Sequence, residues 1–194
     1  MRILVVGSGG REHALAWKLA QEHEVVCTPG NPGIAEDVET VPVAASDTDG
    51  IVALAKGFDL VVVGPEDPLV NGLGDALRAA GAAVYGPNAD GARLEASKAF
   101  SKEVMVAAGI RTAQHVTFTD ASAAQAYARL RFAAGQAVAV KASGNALGKG
   151  VVVCASLDEA EDAINQMLVD RAFGEAGAEV VIEDRLEGPE FSLL

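Results

Sequence analysis

The chain has 194 residues, enough for one full domain and part of another. Its 15 basic residues against 27 acidic ones give a formal net charge of −12, which excludes the clustered positive surface that nucleic acid or an anionic membrane requires. It is 50% hydrophobic, no apolar run is long enough to cross a bilayer, and the apolar start of MRILVVGSGG is too short for a signal peptide, so a cytoplasmic protein is expected. Cys27 and Cys154 lie far apart in apolar runs and read as buried free thiols of a reducing compartment.

Ile3 to Val6 is a fully apolar run suited to a central parallel strand. Gly7-Ser8-Gly9-Gly10 turns the chain, and Arg11 to Gln21 reads as a helix burying Ala14, Leu15, Leu19 and, at the margin, Trp17. Strand, glycine turn and helix form an anion-binding unit, but not one for a dinucleotide. The third glycine of that fingerprint falls on Glu12, and the next strand, Glu24 to Cys27, ends without an acid for a ribose. Arg11 suits a single phosphate better; the alternative is a turn that needs glycine only for packing. Thr28 to Gly33 reads as a rigid loop, Asp47 to Lys56 as a helix, and Asp59 to Val63 as a third buried strand. Gly64 to Leu69 follows as a loop, then a helix to about Ala80, and Ala82 to Tyr85 is a fourth strand running into Gly86-Pro87. Three strands thus end in proline–glycine loops on one rim. Glu66 and Asp67 there are either substrate contacts or a helix start.

Gly91 to Ala108 reads as one amphipathic helix carrying Arg93, Lys98 and Lys102, and His115 to Phe118 as a short strand. His13, His23 and His115 have no partners at metal-ligand spacing. An alanine-rich helix runs from Asp120 to Ala134, started by Thr119 or Asp120 and closed by Gly135. Next come two apolar runs, Val138 to Val140 and Val151 to Val153, joined by a loop in which Gly144, Gly148 and Gly150 supply backbone freedom. With Lys141 and Lys149 at its ends, this hairpin is suited to cover a polyphosphate. It is not a P-loop: the glycine spacing is one residue short, no Ser or Thr follows Lys149, and a strand follows where a helix is required. Ser156 to Leu168 is a helix with Ser156 and Glu159 as a capping box, Val180 to Ile182 is a strong strand, and Phe191 to Leu194 reads as another strand just starting.

These motifs resemble the ATP-grasp superfamily and, within it, the glycinamide ribonucleotide synthetase (phosphoribosylamine–glycine ligase) family. The match is carried by VVGSGGREHALAWKL at 5–19, PGNPG at 29–33, VVVGPEDPLV at 61–70, YGPNADGARLEASKAFSKE at 85–103, VKASGNALGKGVVV at 140–153 and VIEDRLEGPEFS at 181–192. The chain departs from the family pattern at Ser143, which stands where an acid is usual, at Asn145 and at Pro189. The resemblance implies an α/β chain: a parallel-sheet pre-ATP-grasp N-terminal domain at 1–96, a linking helical segment of the ATP-grasp core at 97–116, a small α+β ATP-grasp lid at 117–183, and the start of the remaining core at 184–194.

It also implies the chemistry. Glycine is joined to 5-phosphoribosylamine at the expense of ATP, through glycyl phosphate, in purine synthesis. Lys98 and Lys141 would contact the α- and β-phosphates, and Lys149 with the Gly144, Gly148 and Gly150 backbone would cover the terminal ones. Glu183 and the backbone near Leu186 would take the adenine edge, and Glu190 the ribose. Gly9, Gly10, Arg11, Glu12, Pro65 and Glu66 would form the phosphoribosylamine site. Magnesium, with manganese as a substitute, would be held by ligands beyond residue 194, none of them within this chain. A monomer is expected, and the 194-residue chain alone should bind ATP weakly at most without turnover. The rival readings are another ATP-grasp carboxylate–amine ligase or carboxylase, and a non-catalytic nucleotide-binding module.

Overall fold

The computed structural model describes residues 1–146 and 149–193, in two compact units that divide between Arg93 and Leu94. The first unit is built on five parallel strands, β1 (Arg2–Gly7), β2 (Glu24–Pro29), β3 (Glu39–Thr40), β4 (Leu60–Val63) and β5 (Val84–Tyr85), in the spatial order β3-β2-β1-β4-β5. Successive side chains of a strand alternate between faces, and here both faces are covered. Leu4 and Val6 pack on one side with Val26, Ile51, Val61, Leu73 and Leu77. Ile3 and Val5 pack on the other with Ala16, Val25, Cys27, Ile34 and Val62. That double burial explains why β1 and β4 read as unbroken apolar runs. Burial also pushes the Cys27 thiol up to about 11, helped by the Glu12 carboxylate, so it stays protonated and inert.

The helices of this unit are α1 (Gly10–Leu19), α2 (Ile34–Asp37), α3 (Thr48–Ala55), α4 (Glu66–Val70) and α5 (Leu73–Ala79). Two expectations fail here. Ala14 and Trp17 are on the exposed side of α1, Trp17 at 53%, because the helix turns the line through Glu12 and Ala16 inward. The stretch Gly64 to Leu69, expected as a loop, contains helix α4, and the helix expected from there to Ala80 is the separate α5, since Gly72 at φ +89° breaks the chain between them. The edge strand β3 was invisible in the sequence, being only two residues long, and Ala82 to Tyr85 contracts to Val84–Tyr85.

Helix α6 (Ala89–Ala96) leads out of the first unit, and α7 (Lys98–Ala107) opens the second. The expected continuous helix is interrupted at Ser97, whose extended backbone and side-chain oxygen cap a new start by accepting the Phe100 N–H. Four antiparallel strands follow, β6 (His115–Phe118), β7 (Val138–Ala142), β8 (Val151–Cys154) and β9 (Val180–Asp184), in the order β6-β9-β7-β8. Helices α8 (Ala121–Ala133) and α9 (Leu157–Ile164) cover one face, packing Ala124, Ala128, Ala160 and Ile164 on Val138, Val140, Val180 and Ile182. The alternate positions Ala139, Lys141, Val181 and Glu183 therefore project from the other face. The helix expected to Leu168 is α-helical only to Ile164 and continues as a π turn over Asn165–Val169. Its capping is also shifted: Ser156 accepts the Glu159 N–H, while the Glu159 carboxylate reaches back to the N–H of Ala155. Residues 185–193 form no strand, and Phe191 and Leu193 are exposed; Leu194 lies outside the described residues.

Candidate functional site

Reversal of strand order on either side of β1 opens a crevice at the carboxyl ends of β1 and β4, the usual ligand position in an open parallel sheet. A cavity of about 650 Å³ lies there. Gly9, Glu12 and Pro65 line it, as does Asp67, one of the two acids read as substrate contacts or a helix start, together with Ser46, Thr48 and Asn71, which the sequence reading did not include. Gly10, Arg11 and Glu66 are not part of the lining.

Glu12 governs this rim. Its side chain is almost fully buried, accepting the Gly9 N–H at 2.7 Å and the Arg11 Nε at 2.9 Å. A Cβ on Gly7 or Gly64 would overlap the Glu12 side chain, and one on Gly9 would come within 2.9 Å of its oxygen. The glycines after β1 and β4 thus make room for a carboxylate that caps α1 from within. Arg11 is shared between Glu12 and, at 3.4 Å, Glu66, so its charge at the helix start is already compensated. A lone phosphate seated on α1 and Arg11 would have to compete with that pairing.

The second unit has a cavity of about 490 Å³ lined by Lys98, Lys102, Lys141, Asn145, Gly150 and Val181 among others. Lys98 and Lys102 lie four residues apart on one face of α7. Lys141 on β7 stands opposite Val181, and Glu183 on β9 opposite Ala139, so Lys141 and Glu183 are diagonal neighbours on the sheet face away from α8 and α9. Glu183 is only 6% exposed; one carboxylate oxygen pairs with Lys141 and the other with Lys102. Burial lowers the pKa of Lys141, and Lys102 and Lys98 lower it further. Burial lowers Lys102 as well, and Lys98, the last against an opposing pull from Glu95. Three ammonium groups against the carboxylates of Glu183 and Glu95 leave a net positive charge that suits an anion, in a chain that is otherwise acidic.

The hairpin loop is tied to this cluster. Lys98 Nζ donates to the Gly144 carbonyl at 3.1 Å. Buried Ser143, in the place of the family's acid, accepts the Ala99 N–H with its hydroxyl and the Lys98 N–H with its carbonyl, clasping the first turn of α7. Gly144 and Gly150 do not adopt positive φ. Their need for glycine is close approach instead: a Cβ on Gly144 would lie 2.5 Å from the Ala176 backbone, and one on Gly150 would lie 2.5 Å from the Ala146 side chain. Lys149 is exposed and outside the lining; its N–H donates to the Ala146 carbonyl at 2.9 Å. Leu186 and Glu190 sit in the exposed stretch after β9, and Gly148 lies outside the described residues. Lys102 is the member of the cluster that the sequence reading passed over, although its spacing from Lys98 was the available signal. Among the described residues no group of three or more His, Cys, Asp or Glu could hold a metal ion, and no helix is long and apolar enough to cross a membrane.

Family comparisons agree with this two-part layout. Residues 1–95 match the phosphoribosylglycinamide synthetase N domain, and residues 96–194 match the ATP-grasp (A) domain of the same synthetase. The chain is 50% identical to a phosphoribosylamine–glycine ligase of Xanthomonas campestris pv. campestris and 49% identical to one of Pasteurella multocida, covering all of this chain and 46% of each relative. It spans about half the length of the curated relatives it matches. A crystal structure of phosphoribosylamine–glycine ligase from Thermotoga maritima superposes with a TM-score of 0.74 at 29% identity, over 97% of this chain and 45% of that one. On both its halves, the chain belongs to the phosphoribosylglycinamide synthetase family.

Proposed function

We propose that this chain is the nucleotide- and amine-binding part of a phosphoribosylamine–glycine ligase. The observation that carries the reading is the cluster of Lys98, Lys102 and Lys141 beside the glycine hairpin. Phosphoryl transfer requires positive charge around the phosphates and exclusion of water, which half-buried ammonium groups and a loop of close-packed glycines supply. Lys98 and Lys141 hold the α- and β-phosphates of ATP, and Lys149 with the backbone from Gly144 to Gly150 covers the terminal ones. The adenine edge meets the backbone near Leu186 and the lone pairs of Glu183 not taken by the two lysines, and Glu190 takes the ribose. The cavity bounded by Gly9, Glu12 and Pro65 takes 5-phosphoribosylamine, with Gly10, Arg11 and Glu66 at its approach.

In the reaction the glycine carboxylate attacks the γ-phosphorus, ADP leaves, and glycyl phosphate forms. The amine of phosphoribosylamine then attacks the glycyl carbonyl carbon, phosphate departs, and glycinamide ribonucleotide results. Magnesium, when bound, would add charge neutralisation on the phosphates; the described residues offer no acidic cluster for it. The test is ADP release by a full-length form of the protein. Release that requires both glycine and phosphoribosylamine supports the ligase; equal stimulation by a different carboxylate would replace it with another ATP-grasp activity.

A further inference from the structure

Lys102 does not simply add a third charge. Its ammonium is fixed at two points, pairing with one oxygen of Glu183 and donating to Thr112 Oγ1 at 2.6 Å. It is more buried than Lys141, with 13% of its side chain exposed against 27%. Glu183 lies between the two lysines, one oxygen for each, on a sheet face where an unpaired carboxylate would be costly. A carboxylate held on one side only is free to rotate and draw its remaining partner out of place; held on both sides it is a fixed strut.

We propose that Lys102 is a positioning residue of the phosphate site: by anchoring the second oxygen of Glu183 it fixes the first, and so sets where Lys141 presents its ammonium to the nucleotide. The clamp runs from Thr112 through Lys102 and Glu183 to Lys141, linking the segment after α7 to β9 and β7. This inference rests on the nucleotide reading above for its ligand, and on geometry alone for the clamp.

Two measurements separate those dependencies. The first, without nucleotide, follows Lys141 by the NMR shift of its ε-carbon as pH is raised. In Lys102→Met a like charge disappears and Glu183 is no longer shared, so Lys141 titrates higher by about half a unit or more. Thr112→Val, a control for mere packing, leaves Lys102 charged and shifts Lys141 less. The second is binding of a non-hydrolysable ATP analogue to the full-length protein in a double-mutant cycle. Lys102→Met weakens binding about tenfold in the native background, Lys102→Arg less than about threefold, and Lys102→Met added to Glu183→Gln has little further effect. An unmoved Lys141 titration, or the same loss in both backgrounds, overturns the clamp. If the native protein fails to bind the analogue, the nucleotide reading falls while the titration still decides the clamp.

Discussion

Glu12 shows how one side chain dictates the residues around it. Reading GSGG as an anion-binding turn counts Glu12 only as a repulsive charge, yet the carboxylate folds back, caps α1 and occupies the space that Gly7, Gly9 and Gly64 leave. Gly64→Ala would push a methyl group into the Glu12 side chain and should cost about 1–3 kcal/mol in urea unfolding, the usual range for overpacking. A neutral substitution there would mean that the cradle is not needed. The lysines of the second unit make a prediction in pH. Lys98, Lys102 and Lys141 all lie below the ordinary 10.5, so they lose protons before an unfolded lysine does. Polyphosphate binding should therefore weaken below pH 10.5. Stability shifts the opposite way over the same window, because the unfolded chain then holds more protons and stability rises with pH. Affinity and unfolding midpoints recorded from neutral pH to 10.5 check both signs; a flat affinity across that window contradicts the first.

At the scale of elements, the hairpin β7–β8 and the capped starts of α3, α8 and α9 were legible because each rests on local chemistry: β-branched runs, or an Asp or Ser accepting a first-turn N–H. The breaks at Gly72 and Ser97 were not. Both sit inside stretches of good helical periodicity, and only a positive φ at one and a side-chain cap at the other end the helix. Nor does periodicity show that Gly144 and Gly150 are selected by neighbours distant in sequence or by steric closeness. One long-range tie in the second unit is open to measurement. Arg131 on α8 makes two hydrogen bonds, 3.0 and 2.7 Å long, to the Asp184 carboxylate at the end of β9, with both side chains largely buried. Arg131→Met should destabilise the unit by about 1.5–3 kcal/mol, the range for hydrogen bonds to charged groups. Guanidinium chloride unfolding monitored on β9 amides would read it, and a loss under half a kcal/mol would assign that tie to the surface.

At the scale of the whole molecule, the division into a parallel-sheet unit and an antiparallel-sheet unit follows from a change in pattern that the sequence displays openly. Continuous apolar strands separated by helices give way after Lys98 to strands of which β7 and β9 place apolar residues against α8 and α9 and carry Lys141 and Glu183 on the opposite face. The candidate phosphate site was legible in its lysines and glycines, because charge and backbone access are written in residue type. The pairing of Glu183 with two lysines was not, because it depends on the register of β7 against β9 and on the face that α7 turns to them. The most direct test of the central claim is the affinity of a non-hydrolysable ATP analogue for a full-length form of the protein and for its Lys141→Ala variant, with circular dichroism to confirm that the fold persists. Removing the half-buried ammonium should weaken binding about tenfold or more with the spectrum unchanged. Equal affinity in the two proteins would contradict the claim that the lysines beside the glycine hairpin hold the nucleotide.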